Sequence, residues 1–174
     1  VVAEVSLAKT NPEANPRHSG LSLFITPKKE GFTVGRKLKK LGYKAIDTAE
    51  LVFENYRIPK NHLIGGVQGQ GFYQTTGGLE LGRINVAARG VGIAEGARNR
   101  ALALVSKREP DPILAQIAGE MENHLLMARL AHRRMVEIAE TGTPGEATTS
   151  EAMQCRQIVG ENAIAVVDKA MELT

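Results

Sequence analysis

The run GLELGR at residues 78–83 places an acidic and a basic side chain three positions apart. Side chains with this spacing share one face of a helix, so Glu80 and Arg83 can act together if the segment is helical. From the residues alone, the plain interpretation is a surface ion pair worth about 0.3 kcal/mol. A ligand-binding face near the N-terminal end of a predicted helix is the alternative.

Metal, nucleotide and nucleophile motifs are weak or missing in the rest of the chain. His124 and His132 lie eight residues apart in one predicted helix, with Glu120 one turn before His124, yet core or surface positions are favoured over a metal site. The glycine-rich run GGVQGQG at 65–71 does not match a phosphate-binding loop and predicts a hinge. No G-x-S-x-G run occurs. We therefore predict no metal site in this chain.

The composition is typical of a globular protein with one domain or two small ones, at 174 residues and 43% hydrophobic content. No apolar run approaches the roughly 20 residues that cross a bilayer, so we predict no membrane partner. The first residues have the pattern of a strand and not of a signal peptide, and an initiator Met is missing, which indicates an internal fragment. A single cysteine, Cys155, excludes an internal disulfide and favours a cytoplasmic location.

Basic residues concentrate in one β-rich stretch, although the net charge is only +3. They are Lys28, Lys29, Arg36, Lys37, Lys39, Lys40 and Lys44. A solvated strand face is the plain interpretation, and an anion-binding face for a phosphate-bearing ligand or nucleic acid is the alternative. Aromatic residues make up 4% of the chain and Trp is absent, which argues against a stacking platform for single-stranded nucleic acid. A nucleic-acid partner is therefore not expected.

The patterning changes near Gly71 from short strand-like runs to helical periods. Strands are predicted at about 20–26, 31–38 and 50–58, and helices at about 70–107, 112–141 and 147–173. Pro59 should stop the last strand because proline has no N–H to donate to a ladder. Asp111 and Pro112 predict the N-cap and first position of the second helix, and Thr148–Thr149 the start of the third.

The predicted fold class is α+β. Residues 1–66 are expected to form the later part of a β-domain, a partial barrel or sandwich, and residues 67–174 an incomplete antiparallel bundle of three helices. A fourth helix is missing or supplied by another chain. The first helix carries a predicted apolar stripe of Leu81, Ile84, Ala88, Val91, Ala94, Ala97, Ala101 and Leu104. Its interior glycines, Gly90, Gly92 and Gly96, predict close packing against another backbone.

One segment resembles a known family closely. The order K-L-G-x-K…L-V-F-E-N-x-x-I-P-x-x-x-L-I-G…G-x-G-F, which begins at Lys40, is similar to the end of the middle β-domain of acyl-CoA dehydrogenases. In that family the next element is the first helix of the C-terminal helical domain. The resemblance covers nearly the whole chain and is strongest over 20–105.

The resemblance implies an activity for the full-length protein. That activity is FAD-dependent α,β-dehydrogenation of an acyl-CoA thioester, an oxidoreductase step of fatty acid metabolism that passes electrons to an electron-transferring flavoprotein. The resemblance also implies that the protein is a homodimer or homotetramer. It implies a location in the cytoplasm or, in a eukaryote, in the mitochondrial matrix. The apolar stripes of the second and third helices, which three helices alone do not cover, also favour an oligomer.

The resemblance also assigns residues. Arg83 matches an arginine beside the acyl-CoA cleft, and Leu79 and Glu80 match residues that contact the CoA moiety. Arg108, in VSKRE, matches an arginine that reaches flavin phosphates across a subunit interface, but the Phe-Gly pair that follows it in the family is missing here. No catalytic base lies within the chain: the alternative base position is Gly82, and the usual glutamate is expected beyond Thr174.

Two rival interpretations remain open. One is a family member that binds without oxidising, as a structural or nucleic-acid-binding subunit. Gly82 and the missing Phe-Gly pair are compatible with it. The other is an acyl-CoA oxidase, which reacts with dioxygen directly.

Overall fold

A computed structural model describes residues 3–142 and 150–173. Four strands come first, β1 (Ala3–Lys9), β2 (Leu21–Pro27), β3 (Phe32–Lys37) and β4 (Ala49–Phe53), followed by the helices α1 (Gly71–Val105), α2 (Pro112–Thr141) and α3 (Ser150–Glu172). The predicted α+β class is confirmed. The chain divides into two compact units, Val1–Thr76 and Gly77–Thr174. No helix among the described residues is long and apolar enough to cross a membrane.

The β-rich unit contains two antiparallel pairs of strands. β1 pairs with β2 from Ala3 opposite Pro27 to Lys9 opposite Leu21. β3 pairs with β4, and the register shifts between Val34 and Lys37. The two polar side chains buried on β2 are satisfied: Ser22 meets the Thr10 hydroxyl at 2.7 Å and Thr26 meets the Ser6 hydroxyl at 2.8 Å. Both buried hydroxyl groups of β2 are therefore hydrogen-bonded, as buried polar groups normally are.

The last predicted strand was too long. β4 ends at Phe53, well before Pro59. The Glu54 N–H donates to the Gly31 carbonyl at 2.9 Å, which closes the ladder, and Asn55 then adopts a left-handed φ of 49°. A left-handed residue turns the chain out of the extended conformation. The turn that follows the strand, and not the proline, therefore ends the pairing.

The helix boundaries agree closely with the sequence pattern. α2 covers the predicted range, and the Asp111 side chain accepts a hydrogen bond from the Ile113 N–H at 2.7 Å, as an N-cap does. α1 ends two residues early, at Val105, where the N–H groups of Lys107 and Arg108 bond three residues back and tighten the last turn. The predicted start of α3 at Thr148–Thr149 lies outside the described residues.

The helical unit buries a core between its three helices. Met121, Leu125 and Val166 are fully buried, and Val91 packs against the core from α1. All of the α3 positions with helical spacing are buried: Ala152, Cys155, Val159, Ala163, Val166, Ala170 and Leu173. Tertiary packing of these stripes, more than helix propensity, stabilises helices of this kind.

The stripe on α1 differs from the prediction. Leu81 and Leu104, both predicted to be buried, are exposed. The fully or nearly buried positions are Ala87, Ala94 and Ala101, which lie seven residues apart. A seven-residue repeat covers one narrow seam, so the buried positions of α1 are alanines, while larger side chains such as Ile84, Val91 and Leu102 pack only partly buried beside it.

The prediction for the α1 glycines holds at one position. A Cβ built on Gly90 would lie 3.7 Å from Val159 Cγ1 and 3.8 Å from Ala163 Cβ, so α1 approaches α3 closely there. A Cβ on Gly92 or Gly96 would meet no described atom within 4 Å. Close packing at those two positions is therefore not found in the described part of the chain.

Candidate functional site

The first turns of the helical unit present the predicted substrate residues along one stretch of α1. Leu79 is 56% exposed, and Glu80 and Arg83 are half-buried. Within the described residues neither Glu80 nor Arg83 forms a hydrogen bond or an ion pair, so the surface ion-pair interpretation is wrong. The N–H groups of the Arg83 guanidinium can therefore donate hydrogen bonds to another molecule, and the two carboxylate oxygens of Glu80 can accept them.

The backbone between these side chains is open. A Cβ on Gly77, Gly78 or Gly82 would meet no described atom within 4 Å. Gly82 lies directly before Arg83 and has no side chain, so this position supplies no acid or base. The stretch can hold and orient a ligand, but Gly82 itself cannot remove a proton from carbon.

Arg108 lies at the opposite end of α1. It is exposed in the turn that follows Val105, next to Lys107. The helix rises about 33 Å between Arg83 and Val105, at 1.5 Å per residue. The structure therefore does not bring Arg108 together with Leu79, Glu80 and Arg83.

An aromatic cluster at the start of α1 was not predicted from the sequence. The His18 ring centroid lies 5.0 Å from that of Phe72 and 5.6 Å from that of Tyr73. His18 Nε2 and the Tyr73 hydroxyl are 3.1 Å apart. The two partners are 55 residues apart in sequence, so no local spacing could have indicated this contact.

A groove of about 880 Å³ runs between α1 and α3. Its lining includes the apolar side chains of Val86, Ile93, Met153, Val159 and Ile164, together with Gly90 and Gly160. None of the predicted site residues lines it. Its shape agrees with the expected absence of a fourth helix, and that expectation stays a prediction.

His124 and Glu120 of α2 both contact α3. His124 Nδ1 lies 2.8 Å from the Asn162 Oδ1 atom of α3, and Glu120 pairs with Lys169 at 2.5 Å. The hydrogen bond from Lys169 lowers the pKa of Glu120 below its usual value. No group of three or more metal-ligating side chains occurs among residues 3–142 and 150–173. His124 and Glu120 therefore connect α2 to α3.

Known proteins resemble this chain over almost its whole length. Residues 69–174 match the family model for the acyl-CoA dehydrogenase C-terminal domain. An acyl-CoA dehydrogenase of Bacillus subtilis is 32% identical over 174 residues, which cover 97% of this chain and 45% of that protein. A short-chain specific acyl-CoA dehydrogenase of Clostridium acetobutylicum is 34% identical, over 88% of this chain and 42% of the relative.

The fold agrees with these relatives. Butyryl-CoA dehydrogenase from Megasphaera elsdenii superposes with a TM-score of 0.82 at 26% identity, over 98% of this chain and 45% of that one. This chain thus spans less than half the length of the relatives that it matches. The match of sequence and fold on both sides of Gly71 shows that the chain belongs to the acyl-CoA dehydrogenase family.

Proposed function

We propose that the protein to which this chain belongs catalyses FAD-dependent α,β-dehydrogenation of an acyl-CoA thioester. Family membership supports the reaction class. The half-buried guanidinium of Arg83 is the main observation that supports this function for the chain, because it has no ion-pair partner among the described residues. It lies on α1 beside Glu80 and the exposed Leu79. This arrangement suits a ligand with anionic, polar and apolar parts, as a CoA thioester has.

Each side chain has a role in this proposal. Arg83 donates to an anionic or carbonyl oxygen of the ligand, Glu80 accepts from an N–H or O–H group, and Leu79 covers an apolar segment. The glycines at 77, 78 and 82 let the ligand approach the helix backbone closely. These residues bind and orient the thioester, and they exclude water from one side of it.

Arg108 is the residue of this chain that we assign to the flavin. Its exposed guanidinium, next to the ammonium of Lys107, has the chemistry that holds a phosphate. Its distance along α1 from Arg83 agrees with contact to a flavin of another subunit. When bound, FAD supplies the two-electron acceptor for oxidation of the Cα–Cβ bond.

The catalytic base lies elsewhere in the protein. Removal of a proton from Cα needs a carboxylate held beside the substrate. The family's alternative position for that carboxylate is Gly82, so we place the base beyond Thr174. We further propose that electrons pass to an electron-transferring flavoprotein and that the protein is a homodimer or homotetramer, located in the cytoplasm or, in a eukaryote, in the mitochondrial matrix.

Substitution of Arg83 in the full-length enzyme tests this function. Arg83→Ala should lower kcat/KM for the best acyl-CoA by about tenfold or more, since a charge-assisted hydrogen bond contributes about 1.5–3 kcal/mol. Arg100→Ala is the matched control: it removes an exposed arginine further along the same helix and should leave kcat/KM unchanged. Unchanged kinetics in Arg83→Ala would refute the site.

Two features of the sequence favour a second function. Gly82 and the missing Phe-Gly pair after Arg108 also fit a family member that binds without oxidising. The purified full-length protein distinguishes the two. Flavin absorbance that is bleached by an acyl-CoA under anaerobic conditions supports dehydrogenation, whereas a colourless protein that reduces no acceptor supports the binding subunit.

A further inference from the structure

The first turn of α1 is fixed to the β-rich unit by close contacts with β2 and with the loop before the helix. The Gly69 N–H donates to Ser22 Oγ at 2.9 Å, and a Cβ on Gly71 would lie 2.6 Å from the Ser22 carbonyl carbon. The Gln74 side-chain amide donates to the Ile64 carbonyl at 3.0 Å. The end of the glycine-rich loop is therefore held in place, and its last glycine permits the close approach of two backbones.

Less than two turns later, α1 contains residues that form helices poorly. Gly77 and Gly78 are adjacent in its interior, and Gly82 follows one turn later. We call residues 77–82 the glycine segment. Glycine is the weakest helix former apart from proline, because its backbone loses the most conformational freedom on ordering. A Cβ at any of the three positions would meet no described atom within 4 Å, so no close contact within the described residues requires a glycine there.

The two residues before the glycine segment weaken the helix further. Thr75 Oγ1 donates to the Gly71 carbonyl at 2.7 Å, and Thr76 Oγ1 donates to the Phe72 carbonyl at 3.1 Å. Hydroxyl groups that bond back to the carbonyl four residues earlier slightly destabilise a helix and often bend it. The two compact units of the chain also divide between Thr76 and Gly77. Packing within the β-rich unit therefore ends where the glycine segment begins.

We propose that the glycine segment opens locally and that a ligand bound by Glu80 and Arg83 closes it. The two side chains share one face only while the backbone between them, which includes Gly82, is helical. A ligand that contacts both groups therefore binds the closed form and shifts the population toward it. The closing step rests on the proposed function, whereas the local opening does not.

The packing on either side confines the opening to the glycine segment. The first turn of α1 is held by its contacts with β2 and the preceding loop. The later part of the helix is anchored through the buried side chains of Ala87, Ala94 and Ala101. A poorly packed segment between better-packed neighbours opens at a lower free energy than the whole domain. The glycine segment therefore opens without unfolding of the helical unit.

Amide hydrogen exchange of the ligand-free, full-length protein tests the opening. After correction for intrinsic rates, the amides of the glycine segment should exchange at least about tenfold faster than those of residues 87–101, since exchange follows the free energy of local opening. Gly77→Ala combined with Gly78→Ala should slow exchange in the segment by about tenfold, because alanine favours the helical form. Gly92→Ala combined with Gly96→Ala is the matched control: it replaces two glycines of the same helix that also have open space around an added Cβ, and it should leave exchange in the segment unchanged.

Exchange in the presence of free CoA tests the closing step. Calorimetric titration supplies the Kd and reports binding separately from closing. At about nine times its Kd, CoA should slow exchange of the glycine segment by about tenfold, as a ligand that binds only the closed form does. At the same degree of saturation, Arg83→Ala should lose most of this protection. Arg100→Ala, which removes an exposed arginine further along the helix, should keep it.

Three outcomes would overturn the proposal. The first is exchange in the glycine segment as slow as in residues 87–101, which would show that another part of the full-length protein holds the segment closed. The second is an equal effect of the two double variants on exchange in the segment, and the third is CoA binding that leaves this exchange unchanged. If calorimetry detects no CoA binding, the proposed function and the closing step are both refuted, while exchange in the ligand-free protein still decides whether the segment opens. Far-ultraviolet circular dichroism of each variant verifies that the fold is retained.

Discussion

At the scale of single residues, two glycines show how the same residue type can have opposite effects on stability. Gly31 has a φ of +82°, and a Cβ there would lie 2.5 Å from the Glu54 carbonyl oxygen. Gly77 lies in α1 with no described atom within 4 Å of an added Cβ. Gly31 is needed for the β3–β4 unit to close, whereas Gly77 costs helix stability without a packing reason in the described residues.

Gly31→Ala should destabilise the chain by about 1–3 kcal/mol, because alanine at positive φ is strained and the backbone oxygen cannot move away. Gly77→Ala should instead stabilise it by up to about 1 kcal/mol. Urea denaturation followed by circular dichroism measures both. Equal effects of the two substitutions would show that backbone conformation does not decide the outcome at these positions.

At the scale of elements, α2 has a buried face and an outer face that carry similar leucines. Leu125 is fully buried in the core of the helical unit, and its neighbour Leu126 is 53% exposed. A buried leucine raises the free energy of unfolding in two ways: its apolar surface is removed from water, and its side chain fills space in the core. Alanine substitutions at these two positions therefore distinguish the loss of core packing from the change in helix propensity within one helix.

Leu125→Ala should lower the free energy of unfolding by about 2–5 kcal/mol, as expected for a leucine removed from a closed core. Leu126→Ala should change it by less than about 1 kcal/mol in the isolated chain. Chemical denaturation of both variants provides the comparison. A large loss in Leu126→Ala would contradict the placement of this side chain on an outer face.

Arg134 of α2 and Glu151 of α3 form a two-point ion pair between the helices. The distances are 2.7 Å from Nε to Oε1 and 3.2 Å from Nη2 to Oε2. The hydrogen bond from Arg134 lowers the pKa of Glu151, so the carboxylate is stabilised in the folded state. The ion pair therefore adds to the free energy of unfolding at pH values above the pKa of Glu151 in the unfolded chain, which is about 4.3. This contribution is lost as the pH falls through the lower pKa of Glu151 in the folded chain.

Glu151→Gln should therefore destabilise the chain at pH 7, and the difference from the unsubstituted chain should shrink as the pH is lowered below about 5. Added salt should also reduce it, since both side chains are about half exposed. Glu140→Gln, an exposed position on α2, is the control. A difference that stays constant between pH 7 and pH 3 would contradict the ion-pair explanation.

At the scale of the whole molecule, we propose that the chain supplies one part of a catalytic centre. It presents Leu79, Glu80 and Arg83 on α1 and Arg108 at the far end of the same helix. It spans less than half the length of its relatives. The proposed base and most of the proposed flavin contacts belong to other parts of the full-length protein.

The 174-residue chain alone should consequently show no turnover. With added FAD and an acyl-CoA, reduction of a dye acceptor should remain at the level of a blank without protein, because a base beside Cα and a bound flavin are both needed. Turnover at about 1–1000 per second, the range of ordinary enzymes, would show that a residue of this chain acts as the base.

Much of the helical architecture could be predicted from local sequence. α2 has the predicted bounds because Asp111, Pro112 and Gly142 give its ends local signals. The α3 stripe from Ala152 to Leu173 is buried as its 3.6-residue period indicates. The motif around Lys40–Phe72 identified the family, and the comparisons confirmed it. These features depend on neighbours within a few residues, and a sequence displays such neighbours directly.

The tertiary structure decided the features that depend on distant residues. β4 ends at Phe53 because its ladder closes on Gly31, and α1 buries Ala87, Ala94 and Ala101 because one narrow seam meets the other helices. The missing ion pair between Glu80 and Arg83 likewise became visible only in three dimensions. Helical spacing shows which side chains can meet, but the packing of elements and the competition for partners decide which ones do.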